Sequence, residues 1–509
     1  MPGVDVVTIG SGRLTTAEVA AAAAGAKVDL SGEALQRMKE ARGVVDALVA
    51  GDTPIYGLNT GLGHMRDQRV AIDLLRDYQM ATLKIHWGGL GPPLPAEVVR
   101  AAMVARVAGL ALGGAGASPA VAETLVAMLN AGVHPVVPLV GSVGASDLMH
   151  MAAIGMVAVG LGNAVLNSEL LAGGEALSRS GIEPLRMEPK DALSLVSANG
   201  VSVGHGALVV EKARTTVGLL DVAAALSMEA NRGNPSVTEP EVAAAKPIPG
   251  QIDAAAHIRR LLEDSDLCSA GGPKSVQDPL SFRVAPQVYG AVRELLAFTR
   301  RAVEDELASM DDNPLVVTEQ NRIVSNGNFH PMLMALSFDA LRPGLVHAGQ
   351  LSDRRMGHHF DHLFADPSFM EDAGMKAAGS FGGVGLARYS AAARYAELRQ
   401  YAAPATLDIP PLDLGVEDHS TNAPFTVRRT EEAIALLDEL IAAEILTAHY
   451  ILRFAGEPTA RLGRGTCAAV DTMKEGLSGL PEGAPLEQTH AELVKLLPRI
   501  LAAAEAAIG

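Results

Sequence analysis

Residues 425–456, FTVRRTEEAIALLDELIAAEILTAHYILRFAG, constrain this chain more than any other stretch. Val427, Ile434, Leu437, Ile441, Ile445 and Ile451 recur at three- and four-residue steps with longer gaps, and no proline intervenes. Apolar residues at that period line one face of a helix. The spacing predicts one helix of about seven turns at 3.6 residues each. Similar stretches run from Val201 to about Asn231, from Pro286 to about Met310, and from Pro331 through much of the 340s, where Pro343 is expected to interrupt. Long helices with one broad apolar face bury it against each other, so the chain reads as mainly α with an extended bundle in its second half.

Aromatic residues make up only 4% of the chain, and strand-like alternation is confined to pieces such as RIVSN near residue 322. The first 200 residues differ from the rest, with shorter helical patterns and glycine-bearing loops at 56–63, 88–95, 112–118 and 140–147. GIEPLRMEPKD, 181–191, is rich in proline and charge and reads as a boundary. The expected organisation is an N-terminal helical domain over 1–190, carrying the loops, and a long-helix bundle with a C-terminal helical region over 191–509. Residues 148–166 are strongly apolar but include His150, Asn163 and three glycines, and are expected to form a buried helix instead of a membrane span.

Charge narrows the partners. Asp and Glu outnumber Lys and Arg by 58 to 41, for a formal charge of −17, and no basic block stands out. Nucleic acid and anionic membrane both require a concentrated positive face and are excluded as expected partners. The two cysteines, Cys268 and Cys467, lack the paired spacing of a zinc or redox motif. The N-terminus has no basic start followed by an apolar core, so a reduced cytoplasmic setting is expected.

Several stretches carry residues suited to chemistry. VGSVGASDL (140–148) gathers Gly141, Ser142, Gly144, Ala145 and Ser146 directly before an acid, Asp147, and an apolar run. Small residues reach conformations that a Cβ branch forbids, so such a loop either lets backbones approach or uses its own backbone chemically. YGLNTGLG (56–63) puts Tyr56 at the head of a glycine-rich loop without the lysine or spacing of a phosphate loop. KIHWGGLG offers Ile85 and His86 beside Trp87; VQDPLSFRVAPQ offers Gln277, Leu280 and Arg283 where a long helix begins. GNFH and VEDHSTN add Asn328, Phe329 and His330, then Glu417 and His419. Each alone has an ordinary structural reading: a packed tyrosine, a core histidine, an arginine in an ion pair, acids at the positive end of a helix. HHFDH (358–362) has no zinc spacing and reads as a solvated loop before it reads as a metal site.

Order and wording together say more. YGLNTGLG, PLVGSVGASDL, KPIPGQ, QDPLSFRVAPQVYGA, DDNPLV, GNFH and EDH follow the order and approximate spacing seen in the histidine and aromatic amino-acid ammonia-lyases, and the resemblance runs from about residue 30 to about 455. It implies the ammonia-lyase fold, with a fumarase- and aspartase-like bundle, and removal of ammonia from an α-amino acid. It also implies an electrophile, 4-methylideneimidazol-5-one (MIO), made by the chain from Ala145, Ser146 and Asp147, and neither nucleotide nor metal. By the same resemblance Tyr56 is the base for the β-proton and Arg283 grips the substrate carboxylate. Asn199, Asn328 and Gln277 add hydrogen bonds around that carboxylate and the electrophile, Phe329 lines the apolar pocket, and Glu417 is the acid near the amine. Ile85 and His86 govern substrate choice, histidine at 86 leaning towards an imidazole or another polar ring. A homotetramer with sites shared between subunits is implied as well.

This chain departs from the pattern it resembles. Relatives read Ala-Ser-Gly followed by Asp-Leu, whereas Asp147 and Leu148 follow Ser146 directly. Either the glycine is deleted and Asp147 is the usual acid, or Asp147 stands in the glycine's place, where its Cβ narrows the accessible dihedrals. Leu280 and Val416 replace a tyrosine and a glutamine, and Ile248 a histidine. A lyase, an aminomutase, an acid–base enzyme without the ring and a non-catalytic amino-acid binder all remain compatible with these residues.

Overall fold

The long periodic stretches are long helices. Residues 425–456 lie within one helix, Ala423–Phe454, apart from 455 and 456, which fall outside the described residues. At 32 residues it makes about nine turns, more than the apolar spacing alone implies. Val427, Leu437, Ile441 and Ile445 are fully buried, and Ile434 and Ile451 nearly so. The others are Gly200–Asn231, Ala285–Leu307 and Met332–Ala365. The computed structural model describes residues 5–49, 51, 53–365, 387–407, 409–454, 461–481 and 484–509.

Two sequence expectations fail locally, each for a physical reason. Pro343 does not interrupt its helix, which continues through it for 34 residues. The neighbouring Arg342 is fully buried and binds Asp339, the carbonyl oxygens of Tyr401 and Ala403, and Thr430. These anchors hold the turn where proline removes a backbone donor. Nor is 148–166 one helix: Leu148–Ala158 is helical, and Asn163–Leu166 is a strand paired antiparallel with Glu169–Ala172. Gly160 and Gly162, at φ 83° and 65°, turn the chain between them. Among the described residues the one helical stretch long and apolar enough to cross a membrane is Asp191–Asn231, whose most apolar window is wholly buried, as befits a core helix.

The chain forms two compact units. The first comprises Met1–Glu211, Thr299–Phe338 and Pro404–Arg428; the second comprises Lys212–Phe298, Asp339–Ala403 and Arg429–Gly509. Short sheets trim the first unit, among them Leu90–Pro93 against Pro138–Val140 and Leu315–Val317 against Arg322–Val324, the latter at the expected RIVSN. Leu58 and Val316 join Ala41, Val44 and Val45 in one apolar cluster, with Ile55 packed on it, so the loop that carries Tyr56 is anchored on both sides of the tyrosine.

The second unit is built of close-packed helices. A Cβ on Gly250 would lie 2.4 Å from the Gly290 carbonyl, and one on Gly290 would lie 2.5 Å from Gln251 Cα. The Pro-Gly of KPIPGQ thus serves backbone approach between Pro249–Leu261 and Ala285–Leu307. Ile248, at the start of that helix, is 37% exposed, and nothing in the structure explains its choice. HHFDH is no loop: it lies on Met332–Ala365, with His359 buried and its Nδ1 2.9 Å from Thr447 Oγ1. Among the described residues no group of three His, Cys, Asp or Glu side chains is arranged to hold a metal ion. Both cysteines are free.

Within the second unit Arg355 and Glu444 are both wholly buried and paired through two contacts, Nε to Oε1 at 2.5 Å and Nη2 to Oε2 at 3.0 Å. Ser227 donates to Glu444 Oε1 at 2.6 Å, while Arg355 donates to Tyr289 Oη at 2.6 Å and to the Ser281 carbonyl at 2.8 Å. The last bond ties the QDPLSFR segment to the bundle. Removing one member of a buried, fully bonded pair strands the other. Glu444→Ala is expected to lower unfolding free energy by about 3–5 kcal/mol in denaturant titrations.

Candidate active site

The 140–147 loop is bent and pinned by side chains from distant segments. Gly144 has φ 78°, and a Cβ there would lie 2.2 Å from Thr421 Oγ1 and 2.6 Å from the Ala423 nitrogen, so only glycine fits. Thr421 Oγ1 donates to the Gly144 carbonyl at 2.7 Å, and the Asn422 N–H donates to the Val143 carbonyl at 2.8 Å. Ser146 follows in the left-handed region at φ 61°, which is uncommon for a residue with a Cβ and costs about 1–3 kcal/mol. Ala145, Ser146 and Asp147 are all buried.

Three backbone and side-chain bonds offset that strain. The Ser146 N–H donates to the Phe329 carbonyl at 3.2 Å, which also accepts from Asn199 Nδ2 at 3.0 Å. The Asp147 N–H donates to the Ala198 carbonyl at 2.7 Å. Asn199 Oδ1 is buried beside this loop with no hydrogen-bond partner, an acceptor left over for another group.

The carboxylate of Asp147 is wholly buried and bonded on both oxygens. Ser202 donates to it twice, from its backbone N–H to Oδ2 at 2.7 Å and from Oγ to Oδ1 at 2.9 Å. Ser142 Oγ lies 2.7 Å from Oδ1 and 3.2 Å from the Ser146 carbonyl, and its single proton serves the charged oxygen best. Ser202 sits in the first turn of Gly200–Asn231, where free N–H groups and the helix dipole favour an anion. Asp147 follows Ser146 directly in the backbone, and its side chain supplies an acid that caps a long helix.

Tyr56 heads a loop whose Gly57 and Gly63 sit at φ 67° and 56°, the left-handed region that favours glycine, with the Leu193 and Asp413 side chains 2.1 and 2.0 Å from where a Cβ would lie. The Gly63 N–H donates to the Tyr56 hydroxyl at 3.4 Å. Burial pushes the phenol above its ordinary value, the Gly63 bond opposes this, and the nearby Glu417 and Asp413 carboxylates raise it further. Glu417 is itself raised, chiefly by burial and then by Asp413. Asp413 is held by His64, through its backbone N–H at 2.9 Å and Nδ1 at 2.5 Å. Tyr56, Glu417 and Asp413 thus form one acidic cluster.

His86 ends the helix Leu75–His86, and its Nδ1 lies 2.8 Å from the Thr82 carbonyl. A carbonyl accepts, so Nδ1 carries a proton, and in the neutral ring Nε2 is left as an acceptor. Ile85 is 72% exposed. Asn328 directs its amide to the Met310 carbonyl at 3.2 Å, and Phe329 meets His330 edge-on. His330 Nε2 and His419 Nδ1 are 2.8 Å apart.

The first unit thus contains Tyr56, Ile85, His86, Ala145, Ser146, Asp147, Asn199, Asn328, Phe329 and Glu417. Gln277, Leu280 and Arg283 belong to the second unit, at the short helix Leu280–Arg283 and just before it. Leu280 is 59% exposed, and Arg283 keeps a buried Nε without a hydrogen-bond partner. Sequence reasoning misses Ser202, Thr421 and Asp413. Ser202 had a readable signal, since it lies just inside the start of a long apolar helix next to SANG, and Thr421 lies within VEDHSTN; Asp413 had none.

A model of the aromatic amino acid lyase family matches residues 14–475. Over 497 residues the chain is 34% identical to the histidine ammonia-lyase of Gloeobacter violaceus, spanning 96% of each. Histidine ammonia-lyase from Trypanosoma cruzi has a crystal structure similar at a TM-score of 0.88 and 27% identity, with 99% of this chain and 96% of that one covered. Tyrosine aminomutase from Streptomyces globisporus is similar at a TM-score of 0.88 and 26% identity, with 98% of each covered.

Proposed function

Because the chain belongs to the aromatic amino acid lyase family, we propose that it eliminates ammonia from histidine or a related aromatic α-amino acid with an electrophile built from Ala145, Ser146 and Asp147. The observation that carries this reading is the pinned loop. Ser146 is held bent at φ 61°, and the Asp147 carboxylate, the bulk that glycine would lack, is bonded away to Ser142 and Ser202. These residues fit MIO, whose electron-poor alkene makes departure of a poor leaving group feasible. The unpartnered Asn199 Oδ1 is a further group suited to face it.

In this reading Tyr56 takes the β-proton. Glu417 receives the substrate ammonium, a cation that also eases ionisation of the phenol beside it. Arg283 binds both oxygens of the carboxylate, a task fitted to a planar guanidinium, and Gln277, Asn199 and Asn328 support the same hydrogen-bond network. Phe329, Ile85 and Leu280 provide apolar walls. His86 presents Nε2 as an acceptor, which selects a ring bearing an N–H or O–H donor. The assembly in this reading is a homotetramer in which Arg283 comes to Tyr56 from another subunit.

Similarity to an aminomutase structure favours a second reading, return of the amine at the β-carbon, which uses the same residues. Incubation with L-histidine, L-phenylalanine and L-tyrosine, with ammonia and both β-amino and unsaturated acids quantified, separates the two. Ammonia and an unsaturated acid, with histidine turned over fastest, are expected. A β-amino acid as main product establishes the mutase, and no conversion of any of the three overturns both.

A further inference from the structure

The reading above requires a ring closed at Asp147, a residue that carries a buried carboxylate where glycine carries nothing. Closure forms a bond from the Asp147 nitrogen to the Ala145 carbonyl carbon, and the Asp147 amide proton goes to the Ala145 oxygen. That oxygen leaves as water with the amide proton of Ser146, creating a C=N bond. Ser146 Oγ then leaves as a second water with the Ser146 α-proton, creating the exocyclic C=C bond. Both amide protons that must be lost start in hydrogen bonds to outside carbonyls, Ser146 to Phe329 at 3.2 Å and Asp147 to Ala198 at 2.7 Å.

When the Asp147 nitrogen leaves the Ala198 carbonyl, the residue loses its backbone tether on that side. What still holds it is its carbonyl, which accepts from the Met151 N–H at 2.8 Å on the helix side, and its side chain. Three donors, Ser142 Oγ at 2.7 Å, Ser202 N at 2.7 Å and Ser202 Oγ at 2.9 Å, converge on a carboxylate with no exposed surface. Phe329 keeps the Asn199 amide as partner after Ser146 withdraws its own N–H, so that side of the loop stays fixed. We propose that Ser142 and Ser202 are positioning residues for ring closure: they clamp the Asp147 carboxylate outside the nascent ring and so aim its nitrogen at the Ala145 carbonyl. The clamp replaces, by external hydrogen bonds, the freedom that a glycine at this place has intrinsically.

This inference rests on the proposed electrophile and is tested by intact mass and near-ultraviolet absorbance of the full-length protein. The set is wild type, Ser142→Ala, Ser202→Ala, Ser202→Thr, Asp147→Gly and the double variant Asp147→Gly/Ser202→Ala, each followed with time after synthesis. Wild type is expected two waters lighter than its translated mass. Ser202→Ala, soluble and with unchanged circular dichroism, is expected to lose those waters at least about tenfold more slowly, the effect of one lost charge-assisted bond, and Ser142→Ala, which also gives up the Gly144 N–H bond to its Oγ at 3.0 Å, at least as slowly. Ser202→Thr keeps both donors and matures as wild type does. The double variant is also expected to mature at the rate of Asp147→Gly, because no carboxylate remains to be held.

Alanine variants that mature at the wild-type rate overturn the clamp while leaving the electrophile standing. A double variant as slow as Ser202→Ala overturns it too, since Ser202 then acts on the helix and not through Asp147. A wild-type protein at its full translated mass overturns the clamp and the electrophile together.

Discussion

Tyr56→Phe is expected to abolish turnover while leaving the mass and melting temperature of the protein close to wild type. The hydroxyl makes one long bond, accepted from the Gly63 N–H at 3.4 Å, and the loop is anchored by Ile55 and Leu58 on either side. Its removal therefore costs little stability. Loss of a positioned base costs roughly 10²–10⁴-fold in rate. The pH dependence carries a second signature. Burial raises the phenol above its reference value of about 10, and Glu417 and Asp413 add to the shift, so the reactive phenolate becomes more abundant as pH rises. Activity should climb through the alkaline range, and Glu417→Gln, which removes one neighbouring negative charge, should move that limb to lower pH while weakening amine binding. Steady-state kinetics from neutral pH upward measure both. A Tyr56→Phe enzyme within threefold of wild type, or a Glu417→Gln limb displaced to higher pH, would remove Tyr56 from the role of base.

Ser146→Ala should yield a protein that never becomes two waters lighter than its translated mass, with ammonia release reduced by roughly 10³-fold or more, as expected when a covalent participant is deleted. Alanine has no Oγ to leave as water, so the methylidene carbon cannot form. Backbone strain does not confuse the comparison, because serine and alanine both carry a Cβ at φ 61°. Folding should be intact: the hydrogen bond at this residue runs through its N–H to the Phe329 carbonyl and survives the substitution. Mass spectrometry beside an ammonia assay tests the two consequences independently. Turnover that persists in Ser146→Ala would mean that elimination proceeds without the ring.

Read from its residues alone, this protein disclosed what is written in neighbouring positions. The Ala423–Phe454 helix announces itself because a period of 3.6 is local and its apolar face is continuous. Motifs such as YGLNTGLG and GSVGASDL are likewise contiguous, and their order along the chain points to the family, which the comparisons show, and names the candidate site residues. Local rules also misled where tertiary contacts outweigh them: Pro343 stays within a helix beside the multiply bonded Arg342, and Gly160 and Gly162 end an apolar run that looked continuous.

Only the tertiary structure decided what surrounds Asp147. Its partner Ser202 is 55 residues away, and the Thr421 that fastens Gly144 is 277 residues away. The acid that raises both Tyr56 and Glu417, Asp413, is fixed by His64 at a separation of 349. Periodicity and backbone stiffness act over a few residues and leave a pattern in the letters. A hydrogen bond between remote segments leaves none, because its geometry depends on every fold element between them.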